Sequence, residues 1–163
     1  MNASSNPSES TGEAITPEGL DALKSELFHL ESEARREIAQ RILVARGHGD
    51  LKENAEYHAA KEDQAHLETR IKRLRQRLRN AVVVEAEHDS NIFSFGRTAD
   101  VVDEDTGDIQ TWTIVGPTEA DRTAGKLSAE SPVGKALLDH APGQVIDVPT
   151  PRGTRRLRIE RLH

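Results

Sequence analysis

The stretch Thr16-Pro17-Glu18-Gly19-Leu20-Asp21-Ala22-Leu23-Lys24-Ser25-Glu26-Leu27-Phe28-His29-Leu30 decides the architecture. Thr is a good helix N-cap, Pro is favoured at the first helical position, and Glu18 suits the positive helix end. Order is therefore expected to begin at Thr16. Leu20, Leu23, Leu27, Leu30 and Ala34 recur at steps of 3, 4, 3 and 4, the spacing of a coiled-coil seam. Ile38, Ile42 and Ala45 carry it onward with steps of 4 and 3, and no Gly or Pro interrupts Leu20 to Arg46. Gly47-His48-Gly49-Asp50 breaks the helix. A second run without Gly or Pro follows from Leu51 to Arg79, with its seam at Leu67, Ile71, Leu74, Leu78 and Ala81.

Two long helices joined by a short break run antiparallel. Folding the chain at Gly49 sets Leu20 near Leu78, Leu23 near Leu74 and Leu78, Leu27 near Ile71, and Leu30 near Leu67. The same register brings Glu18, Asp21, Glu26, Glu31 and Glu33 beside Arg70, Lys72, Arg73, Arg75, Arg77 and Arg79. Exposed pairs contribute only about 0.2–1 kcal/mol each, but they select partner and direction. Arms of about 30 residues make a rod of roughly 45 Å at 1.5 Å per residue. Towards the turn the inward candidates are the small Ala55, Ala59, Ala60 and Ala65, so the far end is expected to be a thin polar finger.

The rest of the composition agrees with an elongated molecule. Of 163 residues, 35% are hydrophobic, 31% charged and only 3% aromatic. That excludes a large globular core and an aromatic platform for single-stranded nucleic acid. There is no cysteine, hence no disulfide framework or zinc knuckle. No apolar run reaches the length of a membrane span and the first residues lack the apolar stretch of a signal peptide, so a soluble cytoplasmic protein is expected. Residues 1–15, 16–81 and 82–163 carry −2, +1 and −5, which make up the net −6. None is the basic domain of a generic DNA binder.

Three segments result. Residues 1–14 read as a disordered tail. Residues 15–81 form the antiparallel coiled-coil hairpin, with its tip near 47–53. Residues 82–163 form a small α+β domain of about five strands and one helix. There, strands are expected at Val82–Val84, Thr98–Val102, Gln110–Val115, Lys126–Ala129, Val145–Val148 and Arg155–Leu162, with a helix capped by Ser131-Pro132 and running to about His140.

The tip, Gly47-His48-Gly49-Asp50-Leu51-Lys52-Glu53-Asn54-Ala55-Glu56-Tyr57, admits two readings. In the plainer one, Asp50 is an N-cap and Glu53 completes a capping-box variant, which needs no function. In the other, Asp50 and Glu53 are exposed carboxylates at the end of a long rod. Mg²⁺ wants six oxygens, so two carboxylates alone bind it weakly. Brought to a partner already holding one metal, they could complete a second site. The readings are compatible, because a carboxylate has two oxygens. His48 and His58 flank the tip and read more simply as surface histidines. Asn54 and Tyr57 shape the tip or touch a partner. In the run Arg70–Arg79, Arg70, Arg73 and Arg77 are candidate RNA contacts, against the plainer reading of pairing with the first helix. Arg152, Arg155, Arg156 and Arg158 read as a solvated edge strand.

Gly49-Asp50-Leu51-Lys52-Glu53-Asn54-Ala55-Glu56-Tyr57-His58-Ala59-Ala60-Lys61-Glu62 closely resembles the tip signature of the bacterial transcript cleavage factors, the Gre family, and its GreA branch in particular. Ile15-Thr16-Pro17-Glu18-Gly19, Ser131-Pro132-Val133-Gly134-Lys135-Ala136-Leu137-Leu138 and Thr150-Pro151-Arg152-Gly153 look like the same branch, so the likeness spans about residues 15–162. The resemblance implies a coiled-coil hairpin followed by an FKBP-like domain. It implies a monomeric partner of RNA polymerase whose hairpin enters the secondary channel of a backtracked enzyme. Asp50 and Glu53 then help hold a second Mg²⁺ and its attacking water, and the polymerase's own active site hydrolyses the nascent RNA near its 3′ end. The C-terminal domain docks outside the channel, with Ser131 and Pro132 the first place to look. On this view the protein is not an autonomous enzyme. Gly47 departs from the acidic residue many relatives carry there, and the N-terminal tail is longer than usual. Two rivals stand beside this reading. A channel-binding regulator that inhibits would have an altered tip, and an FKBP-type isomerase or chaperone would need an aromatic-lined pocket from only Phe93, Phe95 and Trp112.

Overall fold

The computed structural model describes residues 12–163. It divides into two compact units, Leu20–Ala81 and residues 12–19 with Val82–His163. No helix among the described residues is long and apolar enough to cross a membrane.

In the first unit the chain rises through helix α1 (Pro17–His29), a π turn (Leu30–Ala34) and helix α2 (Arg35–Arg46), and returns through helix α3 (Ala55–Asn80). The two arms are antiparallel: Glu26 pairs with Arg70, Arg35 with Glu68 at 2.9 Å and Arg41 with Asp63 at 2.9 Å. Leu23, Leu27, Ile42, Ala45, Ala60, Leu67, Ile71 and Leu74 are buried along the seam. Leu20, Leu30, Ile38 and Leu78 are half-buried. Of the four alanines expected to point inward near the turn, only Ala60 is buried; Ala55, Ala59 and Ala65 are exposed. Leu43, Val44 and Leu51 lie exposed as well, so this end is less uniformly polar than expected.

The π turn follows from the seam spacing. From Leu30 to Ile42 the apolar positions advance by three successive steps of four, one residue more than an alternation of three and four allows. Each step of four overshoots a full α-helical turn by about 40°. A turn closed by an i→i+5 bond absorbs the extra residue. Here the Arg35 N–H donates to the Leu30 carbonyl, and Ile42 and Ala45 return to the seam.

In the second unit a two-stranded sheet joins β1 (Glu13–Ile15) to β2 (Ala81–Val83), the latter beginning on the last residue of the hairpin. This corrects the expected tail: Glu13 and Ala14 belong to a strand, while residues 1–11 lie outside the described residues. The five remaining strands, β3 (Thr98–Asp103), β4 (Ile109–Val115), β5 (Lys126–Ser128), β6 (Val145–Thr150) and β7 (Gly153–Leu162), form one sheet ordered β5-β4-β3-β7-β6. Only the β4–β5 pair is parallel. Helix α4 (Pro132–Leu137), shorter than expected, contributes the buried Leu137 to the core with Phe93, Ile114, Val148 and Ile159.

Thr16 caps α1 as expected, its Oγ1 accepting from the Gly19 N–H at 3.0 Å. The Glu119 carboxylate then gathers the Thr16 N–H at 3.0 Å, the Thr16 hydroxyl and the Gly116 N–H at 3.3 Å. Glycine is needed at both ends of this clasp. A Cβ on Gly19 would stand 2.0 Å from the Glu119 carboxylate, and one on Gly116 2.1 Å from the Ala14 carbonyl.

The arginines of β7 are not a bare solvated edge, because β7 lies between β3 and β6. Arg155 reaches Asp103 at 2.7 Å, Arg156 reaches Asp105 at 2.8 Å, and Arg158 pairs with Glu104. Arg161 and His163 both face Asp100, at 3.5 and 3.1 Å. The Arg155 guanidinium and then the Asp105 N–H hold the Asp103 carboxyl below the usual aspartate range, and Arg156 does the same for Asp105.

Candidate functional site

The break between α2 and α3 is an eight-residue loop, 47–54, rather than a four-residue one. Asp50 is not the N-cap of the returning helix. Asn54 is: its Oδ1 accepts from the Tyr57 N–H at 3.0 Å, and α3 begins at Ala55 instead of Leu51. Asp50 and Asn54 are equally good caps on chemical grounds. The first is followed three residues on by Glu53, which favoured it. What selects Asn54 is its Nδ2, which donates to the Ala45 carbonyl on the opposite helix at 2.6 Å. Spacing along one strand of sequence carries no sign of that cross-helix bond. A closer signal lay in the residue type, since an amide carries its donor and its acceptor on separate atoms of one short side chain and so can face two ways at once.

Asp50 and Glu53 thus lie within the loop, both exposed. Asp50 Oδ1 accepts from the Lys52 N–H at 3.0 Å, which leaves its second oxygen free of protein donors. Glu53 has no protein hydrogen-bond or ion-pair partner among the described residues. Gly49 has φ +116 with nothing within 4 Å of a would-be Cβ, so the turn needs glycine for its backbone and not for space.

Around the loop, the Arg46 guanidinium lies 5.9 Å from the centroid of the half-buried Tyr57 ring, a second tie between α2 and α3. His58 packs edge-on to Tyr57 at 5.6 Å and its Nε2 stands 3.3 Å from the Lys52 carbonyl. His48 is 3.8 Å from Glu56. Asn54 and Tyr57, expected to shape the tip or touch a partner, therefore spend much of their contact surface on their own chain. No group of three or more His, Asp or Glu side chains able to hold a metal ion occurs among the described residues. The loop itself offers the oxygens of two exposed carboxylates.

The remaining predicted residues are spread over the chain. Arg70 is committed to Glu26. Arg73 and Arg77 are exposed and make no ion pair among the described residues, so of the three candidate RNA contacts these two retain an unengaged charge. Of the acid–base pairs read from the register, Glu26–Arg70 and Glu31–Arg75 form; Glu33 turns instead to His29 at 3.1 Å. Arg35–Glu68 is bidentate, at 2.9 and 3.0 Å, and that contact raises the arginine pKa and lowers that of the glutamate. In the sheet unit the Ser131 hydroxyl caps α4, accepting from the Gly134 N–H at 3.0 Å and donating to the Ser128 carbonyl at 2.7 Å. Pro132 is exposed at the lip of a cleft with Trp112, Val133, Pro149 and Arg152.

Comparison with known proteins covers both units. A model described as "Transcription elongation factor, N-terminal" matches residues 13–83, and one described as "Transcription elongation factor, GreA/GreB, C-term" matches residues 88–163. The chain is 44% identical over 146 residues to Transcription elongation factor GreA of Oceanobacillus iheyensis, spanning 89% of this chain and 92% of that one. It is 40% identical over 148 residues to the protein of that name from Bacillus subtilis, spanning 91% and 94%. Among solved structures, GreA factor homolog 1 (Gfh1) of Thermus thermophilus aligns over 93% of this chain and 99% of its own, at 29% identity and a TM-score of 0.42.

Proposed function

Because this chain belongs to the GreA/GreB family of transcription elongation factors, we propose that it acts through RNA polymerase, carrying Asp50 and Glu53 through the secondary channel to a backtracked active centre. There the two carboxylates complete a ligand set that the polymerase begins, and the nascent RNA is hydrolysed near its 3′ end, restoring a usable 3′ hydroxyl. The chain is not an enzyme by itself. The observation that carries this reading is the placement of two unencumbered carboxylates in a loop between the ends of two long helices, with no third ligand beside them.

Mg²⁺ fits this donor set. Carboxylate oxygens are the hard ligands it prefers, and it keeps several positions for water and substrate. Asp50 and Glu53 would hold it jointly with the polymerase; when bound, it supplies charge stabilisation at the phosphoryl oxygens and a more acidic water. The chain's own part is presentation. Asp50 offers the oxygen that Lys52 does not use, and Glu53 offers two.

The sheet unit is read as FKBP-like and as the part that docks outside the channel, with Ser131 and Pro132 at the contact. The Ser131 hydroxyl is occupied by its cap, so the exposed face there is mainly Pro132 and the neighbouring cleft. Arg73 and Arg77 are the remaining candidates for RNA contact. The factor is read as a cytoplasmic monomer.

The test is the addition of the purified protein to backtracked polymerase complexes with Mg²⁺. Appearance of short 3′ fragments supports the proposal. Slowed synthesis without fragments supports the inhibitory regulator, and no effect removes both.

A further inference from the structure

We propose that Asn54 is a positioning residue of the hairpin tip, which by bridging α2 and α3 holds the loop so that Asp50 and Glu53 are presented together. This rests on the cleavage reading above. The side chain makes two bonds in opposite directions: Oδ1 caps α3 through the Tyr57 N–H, and Nδ2 donates to the Ala45 carbonyl, one residue before the end of α2. Ala45 is buried in the seam and its carbonyl also accepts from the His48 N–H at 3.1 Å, so the bond anchors the loop to the packed part of the hairpin. Within the loop the ties are slight, a Lys52-to-Asp50 bond and a His58 ring nitrogen 3.3 Å from the Lys52 carbonyl, both exposed. Gly49 adds backbone freedom. The separation of the loop's two ends therefore depends on Asn54, seconded by Arg46 over Tyr57.

The chemistry distinguishes a clamp from a cap. Serine is as good an N-cap as asparagine but has no arm to reach the other helix. Asn54→Ser thus keeps α3 and removes only the bridge, and Asn54→Ala removes both. Misplacing a catalytic group by about 1 Å costs on the order of 10²-fold in rate.

The experiment compares the wild type with both variants in backtracked complexes over a range of factor concentrations, with thermal unfolding and amide hydrogen exchange on the free proteins. Expected for Asn54→Ser is unchanged helicity and a maximal cleavage rate at saturating factor at least ~10-fold lower. The half-saturating concentration shifts less than ~2-fold, and exchange across residues 48–53 is faster. A maximal rate equal to the wild type overturns the proposal and leaves Asn54 a cap. An unchanged maximal rate with a raised half-saturating concentration also overturns it and makes Asn54 a partner contact. Loss of helicity in the serine variant overturns the separation of bridge from cap. A wild type without cleavage activity instead fells the underlying reading, and this proposal with it.

Discussion

The loop at the end of the hairpin and the acidic turn of the sheet unit hold similar carboxylates and treat them in opposite ways. Residues 103–108 carry Asp103, Glu104, Asp105 and Asp108, and the first three each meet an arginine of β7. Asp103 is also buried and accepts from the Asp105 N–H at 2.9 Å. Residues 47–54 carry Asp50 and Glu53, which meet no cation among the described residues. Acidic character is therefore no guide to role; what matters is whether the fold brings a base to each acid. Where it does, the acids stabilise their own turn. Where it does not, they are left for something outside the chain.

The comparison breaks first at the tip. Asp50→Asn and Glu53→Gln should each reduce stimulated cleavage by at least ~100-fold, as expected for loss of a charged group at a phosphoryl-transfer centre, while polymerase binding and thermal stability stay near wild type. Normal cleavage by the double variant would end the catalytic assignment. The packed seam behind the tip responds in stability. Ile71→Ala, at a position 1% exposed, should cost about 2–5 kcal/mol, read as loss of helical signal at 222 nm on heating. A third change tests the clasp at the start of α1. Glu119→Ala strands the donors of the buried Thr16 and Gly116 and should cost about 1–3 kcal/mol.

Acid should then separate the two regions. Asp100, Asp103, Asp105 and Asp121 are all held below the ordinary carboxylate value, chiefly by Thr111 and His163, Arg155, Arg156 and Thr123 respectively. Groups whose pKa is lower folded than unfolded favour the folded state fully above the unfolded value, and this support is lost as pH falls through the folded one. Below about pH 4 the sheet unit should lose stability progressively, followed by the fluorescence of Trp112, the sole tryptophan. A sheet unit indifferent to that pH range would show the ladder to be decorative. The smallest effect belongs to the exposed hairpin pairs: Glu26→Gln should cost about 0.2–1 kcal/mol and less in high salt.

Much of this was legible beforehand, for identifiable reasons. The leucine steps from Leu20 to Leu30 and from Leu67 to Leu78 specify the hairpin because helical period and burial agree along a continuous run. Glu26–Arg70 and Glu31–Arg75 follow from the register once the chain is folded at Gly49. The exposed placement of Asp50 and Glu53 follows from the break between the helices. Three further features depend on a partner elsewhere in the chain. Glu13–Ile15 is three residues long with no periodicity, and is a strand only because β2 returns to it. Asn54 is the cap because Ala45 lies across from it, and Arg155, Arg156 and Arg158 find their acids because β7 runs beside β3.

The π turn at Leu30–Ala34 has a consequence for how the hairpin can change in length. A regular helix forced to keep the surplus residue would swing everything beyond it by about 100° around its axis, taking Ile42 and Ala45 out of the seam. Bulging that residue outward leaves the facing of the distal segment as it would be in an uninterrupted heptad one residue shorter. Deletion of a single residue at this point should therefore close the shaft into a continuous α-helix while its loop keeps the direction in which it looks.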